Sequence, residues 1–346
     1  HEAEQSLTKA IQQTNARAGA LVAIEADSGA ILAMASWPGL DLNDRGEVTA
    51  DVLRNRAVAD VYEPGSTLKA VTVAAAIEEG VVDAETHIDT PISVTIGDFT
   101  YKDHGANPNW MTVADVVKHS SNVGTIEIQR RLGDELHYDY LTQFGLGSPA
   151  GLDVEGERHG ELQPASAWNL TSGSSIAIGY AVGTTPLQMA AVYSTFANNG
   201  VWVEPYLVSE IIRPDGTRIV TKPRSRVVMS EETAAMMATI LGRVVEESDG
   251  TGRRARMDDF TAGGKTGTSQ QFDVEAGVYS DETFASFVGM APLNDPRIIV
   301  AVVLDAPHGT HEDGADLSLG GASAAPVFAE FTQAALHQLG VAPDRE

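Results

Sequence analysis

The chain has 346 residues and a formal net charge of −25, from 23 Lys and Arg against 48 Asp and Glu, and it contains no cysteine. This charge argues against nucleic acid and anionic membranes as partners, because both are bound through basic faces that neutralise phosphates. The lack of cysteine excludes disulfides, thiolate nucleophiles and metal–thiolate centres, so any chemistry must come from oxygen and nitrogen groups. With 43% apolar residues, a large core in one domain or two fused lobes is expected.

The first part of the chain predicts a helix and a strand pair. Residues 4–17 are polar and compatible with a helix. Two apolar runs, 20–24 and 30–36, follow and are joined by the segment DSG at 27–29, which is typical of a three-residue hairpin.

The middle of the chain is predicted to be mostly helical. A sharp break at 61–66 leads into a helix that begins at Ser66 and is stopped by Gly80. From there to about residue 199, helical stretches alternate with glycine and proline. The remaining predictions are a helix over 231–247, a glycine-rich basic segment at 250–256, strands over 260–268, 284–290 and 298–304, and a closing helix over 325–339.

Strands at both ends of the sequence predict an α+β fold, in which a central antiparallel sheet flanked by helices is joined to a helical lobe. The sheet lobe is assigned to about residues 18–65 and 255–340, and the helical lobe to 66–254. Residues 1–17 are assigned to a linker helix or the remnant of a preceding region, and 341–346 to a tail. The cleft between the lobes is the expected site.

The segment PGSTLK at 64–69 places Ser66 at the first turn of a helix and Lys69 three residues later, on the same helix face. A desolvated lysine beside a helix N-terminus and near another cation can lose its proton and activate a serine. Taken alone, the pattern favours an N-cap serine with a solvated lysine. The segment SLTK, from Ser6 to Lys9, also matches it, within the N-terminal helix.

Two further patterns have structural alternatives of their own. The segment SSN at 120–122 precedes a helix predicted to start near Thr125, and helix capping alone would explain it. The segment GKTGT at 264–268 lacks the upstream glycine and the following helix of a phosphate-binding loop. A lysine and two hydroxyl residues around Gly267 suit a strand edge that grips a carboxylate, although a plain glycine-rich strand end is the alternative.

Together, in this order, Ser-x-x-Lys, Ser-x-Asn and Lys-Thr-Gly form the signature of penicillin-recognising serine enzymes. The wider sequence resembles class B penicillin-binding proteins, the monofunctional transpeptidases, and among them the division-specific FtsI (penicillin-binding protein 3) type. The resemblance covers roughly residues 15–340. Its segments are RNR at 54–56, EPGSTLK at 63–69, KHSSNVG at 118–124, FGLG at 144–147, GER at 156–158, GY at 179–180, TPLQ at 185–188, KTGT at 265–268 and residues 323–328.

Three departures from the family pattern leave its core chemistry alone. Ala181 replaces the second glycine of Gly-Tyr-Gly, Leu319 replaces an aromatic residue, and Gln270 stands where some relatives have a basic residue. They leave the β-lactam preference open.

The resemblance implies the fold of penicillin-recognising serine transpeptidases and β-lactamases and a peptidoglycan D,D-transpeptidase of septal cell-wall synthesis. Ser66 would attack the donor, Lys69 would act as base, Ser120 would relay protons to the leaving amine, and Asn122 would hold the donor peptide amide. Lys265 would keep Lys69 from becoming protonated.

The same resemblance assigns the substrate-binding strand. Thr266, Gly267 and Thr268 would bind the donor, and the two threonines with Lys265 would attract its terminal carboxylate. The backbone N–H groups of Ser66 and Thr268 would form the oxyanion hole.

The implied partners are D-Ala-D-Ala donor stems, amine acceptors, β-lactams, and divisome proteins that include a glycosyltransferase. No cofactor is implied, and the group His308, His311, Glu312 and Asp313 is interpreted as a solvated loop rather than a metal site. No apolar stretch approaches the roughly 18 residues of a membrane-spanning helix. The expected location is the extracytoplasmic side of a bacterial inner membrane, with the N-terminal anchor lying outside this chain. A β-lactamase or a non-catalytic penicillin sensor or scaffold on the same fold are the alternatives.

The acidic residues are expected on the outer faces, with the cleft kept locally positive by Lys69 and Lys265. If the excess acid is an adaptation to salt, screening of its self-repulsion will stabilise the protein. The melting temperature is therefore expected to rise as NaCl is raised to about 1 M, where the Debye length is about 3 Å. A melting temperature that stays level or falls, followed by circular dichroism, would contradict this interpretation.

Overall fold

The computed structural model describes residues 1–40, 48–105, 107–152, 154–273 and 276–345. The helices are α1 (Glu2–Thr14), α2 (Ala50–Leu53), α3 (Arg56–Ala59), α4 (Lys69–Glu78), α5 (Val113–Lys118), α6 (Asn122–Leu132), α7 (Asp134–Gln143), α8 (Ser172–Ala177), α9 (Pro186–Ala197), α10 (Glu231–Glu246) and α11 (Gly320–Gln338). Short 3₁₀ turns occupy Gly65–Leu68, Ala165–Ala167 and Arg253–Ala255.

The strands are β1 (Ala18–Glu25), β2 (Ile31–Trp37), β3 (His87–Asp89), β4 (Ser93–Ile96), β5 (Phe99–Lys102), β6 (Trp110–Thr112), β7 (Val201–Val203), β8 (Glu210–Ile212), β9 (Arg218–Val220), β10 (Ser225–Val227), β11 (Gly263–Asp273), β12 (Val278–Ala291) and β13 (Ile298–Asp305).

Strands from the two ends of the sequence form one antiparallel sheet in the order β11-β12-β13-β1-β2. The central pairing places Leu21 of β1 opposite Val302 of β13. Both strands are buried along almost their whole length, because helices cover both faces, and this explains why they are continuous apolar runs rather than alternating ones. The predicted α+β class and the sheet built from both chain ends are confirmed.

Two hydrophobic clusters lie on opposite faces of the sheet. On one face, α1 and α11 pack together and onto the sheet, and Leu7 of α1 is 1% exposed. On the other face, α4, α9 and α10 form the larger cluster. Helix α4 is buried at every residue from Lys69 to Ile77, as expected for a helix that is apolar on all sides. The assignment of residues 1–17 to a preceding region stays a prediction.

The helical lobe contains four small strand pairs that the sequence patterns did not predict: β3 with β6, β4 with β5, β7 with β10, and β8 with β9. Each strand is three or four residues long, which is too short to show a clear alternation. Of the helices in the described residues, none has the length and hydropathy needed to cross a membrane.

The contact between the sheet and α11 depends on an aromatic pair. The rings of Phe287 on β12 and Phe328 on α11 lie 4.8 Å apart, and both side chains are fully buried. Replacing Phe328 by Ala is expected to lower the free energy of unfolding by about 3–5 kcal/mol, because it removes a buried ring and leaves a cavity.

The matched control is Phe99→Ala, since Phe99 is 62% exposed, and its loss should change stability by less than about 1 kcal/mol. Urea unfolding of the two variants checks the difference. Similar effects for both would contradict the packing described for α11.

Candidate active site

Ser66 lies in the 3₁₀ turn that leads directly into α4. Gly65 has a φ of 54°, and a Cβ there would stand 2.9 Å from the backbone oxygen of Thr268, so only glycine fits comfortably. The Gly65 N–H donates to the Gly179 oxygen at 3.1 Å, and Ser269 Oγ donates to the Glu63 oxygen at 2.6 Å. The turn that carries Ser66 is therefore fixed against β11, as the predicted helix start requires.

Lys69 is the first residue of α4 and is fully buried. Its Nζ donates to the Ser120 backbone oxygen at 2.6 Å, to Ser120 Oγ at 3.2 Å and to Asn122 Oδ1 at 2.6 Å. Burial lowers the pKa of Lys69 to about 7, because the charged form is desolvated, while the negative charge of Asp103 opposes the shift. Burial therefore favours the neutral form of Lys69 far more than in an exposed lysine.

The Nζ of Lys69 is hydrogen-bonded to Ser120 and Asn122 of the second motif rather than to Ser66. Across the described residues, Ser66 Oγ makes no hydrogen bond, and its side chain is half-buried. Hydrogen bonds of catalytic groups are often completed only when a substrate is present. The solvated alternative for Lys69 is excluded by its burial.

The second motif is held in an unusual backbone conformation. Ser120 has a φ of 60°, a left-handed geometry that is uncommon for residues other than glycine. Ser121, rather than Ser120, caps the following helix by accepting from the Gly124 N–H at 2.9 Å. Helix α6 begins at Asn122, earlier than the start near Thr125 that the sequence predicted. Capping and contact with Lys69 are thus divided between neighbouring residues.

Asp103 fixes this motif and was not predicted from the sequence. Its carboxylate accepts from the backbone N–H groups of Asn122 and Val123 at 2.6 and 3.0 Å and from Ser121 Oγ at 2.7 Å. An acidic group at a helix N-terminus also interacts favourably with the helix dipole. No local pattern reveals this role, because Asp103 follows the short β4–β5 hairpin and reaches α6 only through the fold.

Lys265 lies on β11, at the edge of the sheet, and is fully buried. Its Nζ donates to the Thr266 oxygen at 3.1 Å and to Thr266 Oγ1 at 3.3 Å. Burial lowers the pKa of Lys265 well below its usual range, and repulsion from Lys69 lowers it further. Lys69 is therefore close enough to disfavour the charged form of Lys265.

Gly267, the glycine of the third motif, is packed closely against other residues of the protein. A Cβ on Gly267 would lie 2.3 Å from Ser286 Oγ and 2.7 Å from the Pro64 oxygen, so this position lets the turn before Ser66 pack onto β11. Thr268 Oγ1 accepts from the Gly320 N–H at 3.1 Å, which ties the strand to the start of α11.

Side chains of all three motifs line one cleft of about 360 Å³: Ser66, Ser120, Asn122, Thr266 and Thr268. Lys69 and Lys265 lie beneath it and donate to lining residues. A larger cleft of about 680 Å³, beyond Gln270 and Tyr279, is lined by no side chain of the predicted site. The structure thus brings together the residues predicted for the site, while their individual roles stay predictions.

The cleft also contains basic side chains that the motifs did not reveal. His104, His119, Arg253 and Arg254 line it. The two arginines belong to the glycine-rich basic segment noted at 250–256, which was the available sequence signal. His119 directly precedes Ser120 within the segment 118–124, whereas His104 had no such signal and is brought to the cleft by the fold.

An antiparallel sheet whose edge strand meets a buried helix bearing a serine and a lysine defines the penicillin-recognising serine enzymes as the class of this protein. Residues 19–333 match the family described as the penicillin binding protein transpeptidase domain. The chain belongs to this family.

Curated relatives are similar to this protein over nearly the whole chain. Penicillin-binding protein PbpB of Mycolicibacterium smegmatis is 36% identical over 99% of this chain and 54% of its own length. The probable peptidoglycan D,D-transpeptidase PenA of Neisseria meningitidis is 32% identical over 99% of this chain and 56% of its own length. The chain therefore spans about half the length of these curated relatives.

Solved structures agree with the fold. Penicillin-binding protein 3 of Mycobacterium tuberculosis, complexed with aztreonam, has a TM-score of 0.88 and 31% identity, covering 99% of this chain and 78% of that one. The transpeptidase domain of penicillin-binding protein 3 from Burkholderia pseudomallei has a TM-score of 0.86 and 28% identity, covering 100% and 95%. The predicted resemblance to the FtsI type is confirmed.

The negative charge of Asp103 near Lys69 leads to a prediction about the pH dependence of acylation. Asp103 favours the charged form of Lys69, so Asp103→Asn should lower the pKa of Lys69 further. If neutral Lys69 is the active form, labelling by a fluorescent penicillin rises with pH through about 7 in the parent. In Asp103→Asn, the midpoint of this rise should move to lower pH.

The control is Asp98→Asn, which removes an exposed carboxylate from the other end of the same hairpin and should leave the midpoint in place. Reading the midpoint rather than the rate separates the charge effect from any displacement of Asn122. An unchanged midpoint in Asp103→Asn would remove Asp103 from the electrostatics of the site.

Proposed function

We propose that this chain is the catalytic domain of a peptidoglycan D,D-transpeptidase that works through an acyl-enzyme on Ser66. The observation that supports this most directly is the fully buried Lys69, whose pKa of about 7 suits proton transfer at neutral pH. It lies one helical turn from Ser66 and in contact with Ser120 and Asn122.

In the acylation step, neutral Lys69 takes the proton of Ser66 as Oγ attacks the carbonyl carbon of the penultimate D-Ala. Ser120, which is bonded to Lys69, passes a proton to the nitrogen of the terminal D-Ala, and the C–N bond breaks. An ester between Ser66 Oγ and the donor remains. Asn122 holds the peptide amide of the donor.

The third motif positions the donor in this mechanism. Thr266 and Thr268, with Lys265 beneath them, bind the terminal carboxylate of the donor. The backbone N–H groups of Ser66 and Thr268 stabilise the oxyanion, a contribution on the order of 10²–10³ in rate per donor. Two buried lysines beside each other make double protonation unfavourable, so Lys265 helps to keep Lys69 neutral.

The composition of the cleft favours a long-lived acyl-enzyme over a β-lactamase. Its lining, taken over the residues that the structure describes, has no Asp or Glu side chain that would activate a deacylating water, whereas class A β-lactamases use a glutamate for that step. β-Lactams that acylate Ser66 would therefore remain bound, and multiple turnover of nitrocefin would argue for the alternative. A protein that binds penicillin but never turns over a thioester stem mimic would instead be a sensor or scaffold.

The septal role, the divisome partners including a glycosyltransferase, and the extracytoplasmic location at the inner membrane are part of the same proposal. They are supported by the similarity to PbpB, PenA and penicillin-binding protein 3. The transpeptidase naming of PenA supports stem peptides as substrates.

Ser66→Ala tests the nucleophile. Intact-protein mass spectrometry after incubation with benzylpenicillin should show one covalent adduct on the parent and none on the variant, because no other group is proposed to form the ester.

The matched control is Ser6→Ala, since Ser6 and Lys9 repeat the same spacing within α1, on the other side of the sheet. This variant should retain the adduct in full. An adduct that survives Ser66→Ala would reject the assignment of Ser66.

A further inference from the structure

The cleft at Ser66 has a charge opposite to that of the whole chain. The chain has a net charge of −25, yet four basic side chains and no acidic one line this cleft within the described part of the structure. The buried Lys69 and Lys265 lie beneath it. Such a concentration of basic groups in one cleft attracts anions.

Within the described residues, Arg253 is the lining arginine without an acidic partner, and the exposed His104 of the same lining also has none. Arg254 pairs with Asp313, and His119 lies 3.6 Å from Asp249. Arg253 is exposed, and no carboxylate of the described residues is within ion-pair distance of it. Its guanidinium is therefore available to a ligand.

Nearby glutamates do not supply the missing partner. Arg253 also borders a shallow groove with Glu246 and Glu247. Glu246 already binds Arg345, while Glu247 binds Arg243 at 2.7 Å and Lys118 at 2.8 Å. Both carboxylates are thus neutralised by other cations.

The backbone holds Arg253 in place. It begins the 3₁₀ turn Arg253–Ala255, whose Ala255 is fully buried and which packs against α10 and α11. Two residues earlier, Thr251 Oγ1 accepts from Thr266 Oγ1 at 3.4 Å and donates to the Lys118 oxygen at 3.1 Å. Arg253 therefore lies beyond the Thr266 end of the substrate-binding strand.

This position corresponds to the leaving-group side of the reaction, and here the inference rests on the proposed function. With the donor carboxylate at Thr266 and its carbonyl at Thr268, the acyl part extends toward Gln270. The terminal D-Ala leaves from the Thr266 side. Because the two half-reactions are chemically the reverse of each other, the incoming amine takes the place of the departing one.

We propose that Arg253 binds the acceptor. The attacking amine would be bonded to a carbon that also carries a carboxylate. That carboxylate would bind at Thr266 and Thr268, where the carboxylate of the departed D-Ala had been bound. A second carboxylate, a few bonds farther along the acceptor, would pair with the Arg253 guanidinium, whose planar fork matches a carboxylate. The substrate class is an acidic, D-configured diamino acid or a peptide that ends in one.

The transfer step is balanced without any further reactant. The amine nitrogen attacks the ester carbon, the bond from that carbon to Ser66 Oγ breaks, and an amide forms. One proton leaves the amine and one arrives at Ser66 Oγ, with Lys69 and Ser120 as the groups in position to move it. Arg253 contacts only the distal carboxylate and takes no part in this proton transfer.

A competition between two acceptors tests the proposal. meso-2,6-Diaminopimelic acid and D-lysine have the same D-configured amine and carboxylate, but D-lysine lacks the distal carboxylate. Both are offered at equal concentration to acyl-enzyme formed from an N-acyl-D-Ala-D-thiolactate donor, and the two amide products are quantified by mass spectrometry. Their ratio is independent of the acylation rate.

The parent is expected to favour the diaminodicarboxylic acceptor. In Arg253→Gln the product ratio should fall about two- to fivefold, as expected for the loss of one charge-assisted contact at an exposed site. Arg253→Lys should restore part of the ratio, because it keeps the charge but loses the fork. Arg256→Gln is the matched control, since Arg256 is an exposed arginine next to the same turn that does not line the cleft.

Other results would overturn the proposal. An equal product ratio in the parent, or a ratio that Arg253→Gln leaves unchanged, overturns the proposal. Thiol release without either amide product also overturns it, because the acyl-enzyme would then form without binding such an acceptor. If no thiol is released at all, the proposed transpeptidase function itself fails. Thiol release therefore distinguishes this outcome from a failure of the acceptor proposal alone.

Discussion

The burial of Lys69 is the constraint on which the rest of the site depends. A lysine with no exposed surface is costly to keep charged, and its pKa falls to about 7 because water is excluded. Its Nζ nevertheless needs acceptors, and Ser120 and Asn122 supply them from the start of α6. The left-handed conformation of Ser120 and the carboxylate of Asp103 at the N-terminus of α6 hold these acceptors in place. A polar contact between α4 and the start of α6 thus holds Lys69 in place near Ser66.

A second requirement is the close packing of the turn that carries Ser66 onto the edge strand of the sheet. A Cβ on Gly65 would lie 2.9 Å from the Thr268 backbone oxygen, and a Cβ on Gly267 would lie 2.7 Å from the Pro64 backbone oxygen, so neither position has room for a side chain. Because β11 is an edge strand, its outer side is available to an extended ligand, as in other cases where a peptide adds to a sheet edge. Ser66 and the edge strand therefore border one cleft, with the two lysines beneath it.

The net charge of −25 does not show where the acidic and basic side chains lie. Acidic side chains form ion pairs around the cleft, such as those of Asp313 with Arg254 and of Glu247 and Asp249 with Lys118. Inside the cleft, the described lining is basic or neutral. Arginine and histidine side chains thus line the cleft above the two buried lysines. The local positive charge predicted for the cleft stays a prediction.

The paired strands, the helix that follows Ser66 and the three motifs could be predicted from the sequence, because each depends on periodicity, turn residues or short spacing. The sequence also indicated the family, since the order of the motifs is specific even though each is weak alone. Three features became visible only in the folded chain: Asp103 fixes α6, Arg253 lines the cleft, and Lys69 is shielded from water. The tertiary structure also added the short strand pairs of the helical lobe. These features join residues far apart in the chain, and local patterns contain no information on which distant groups exclude water or complete a hydrogen bond.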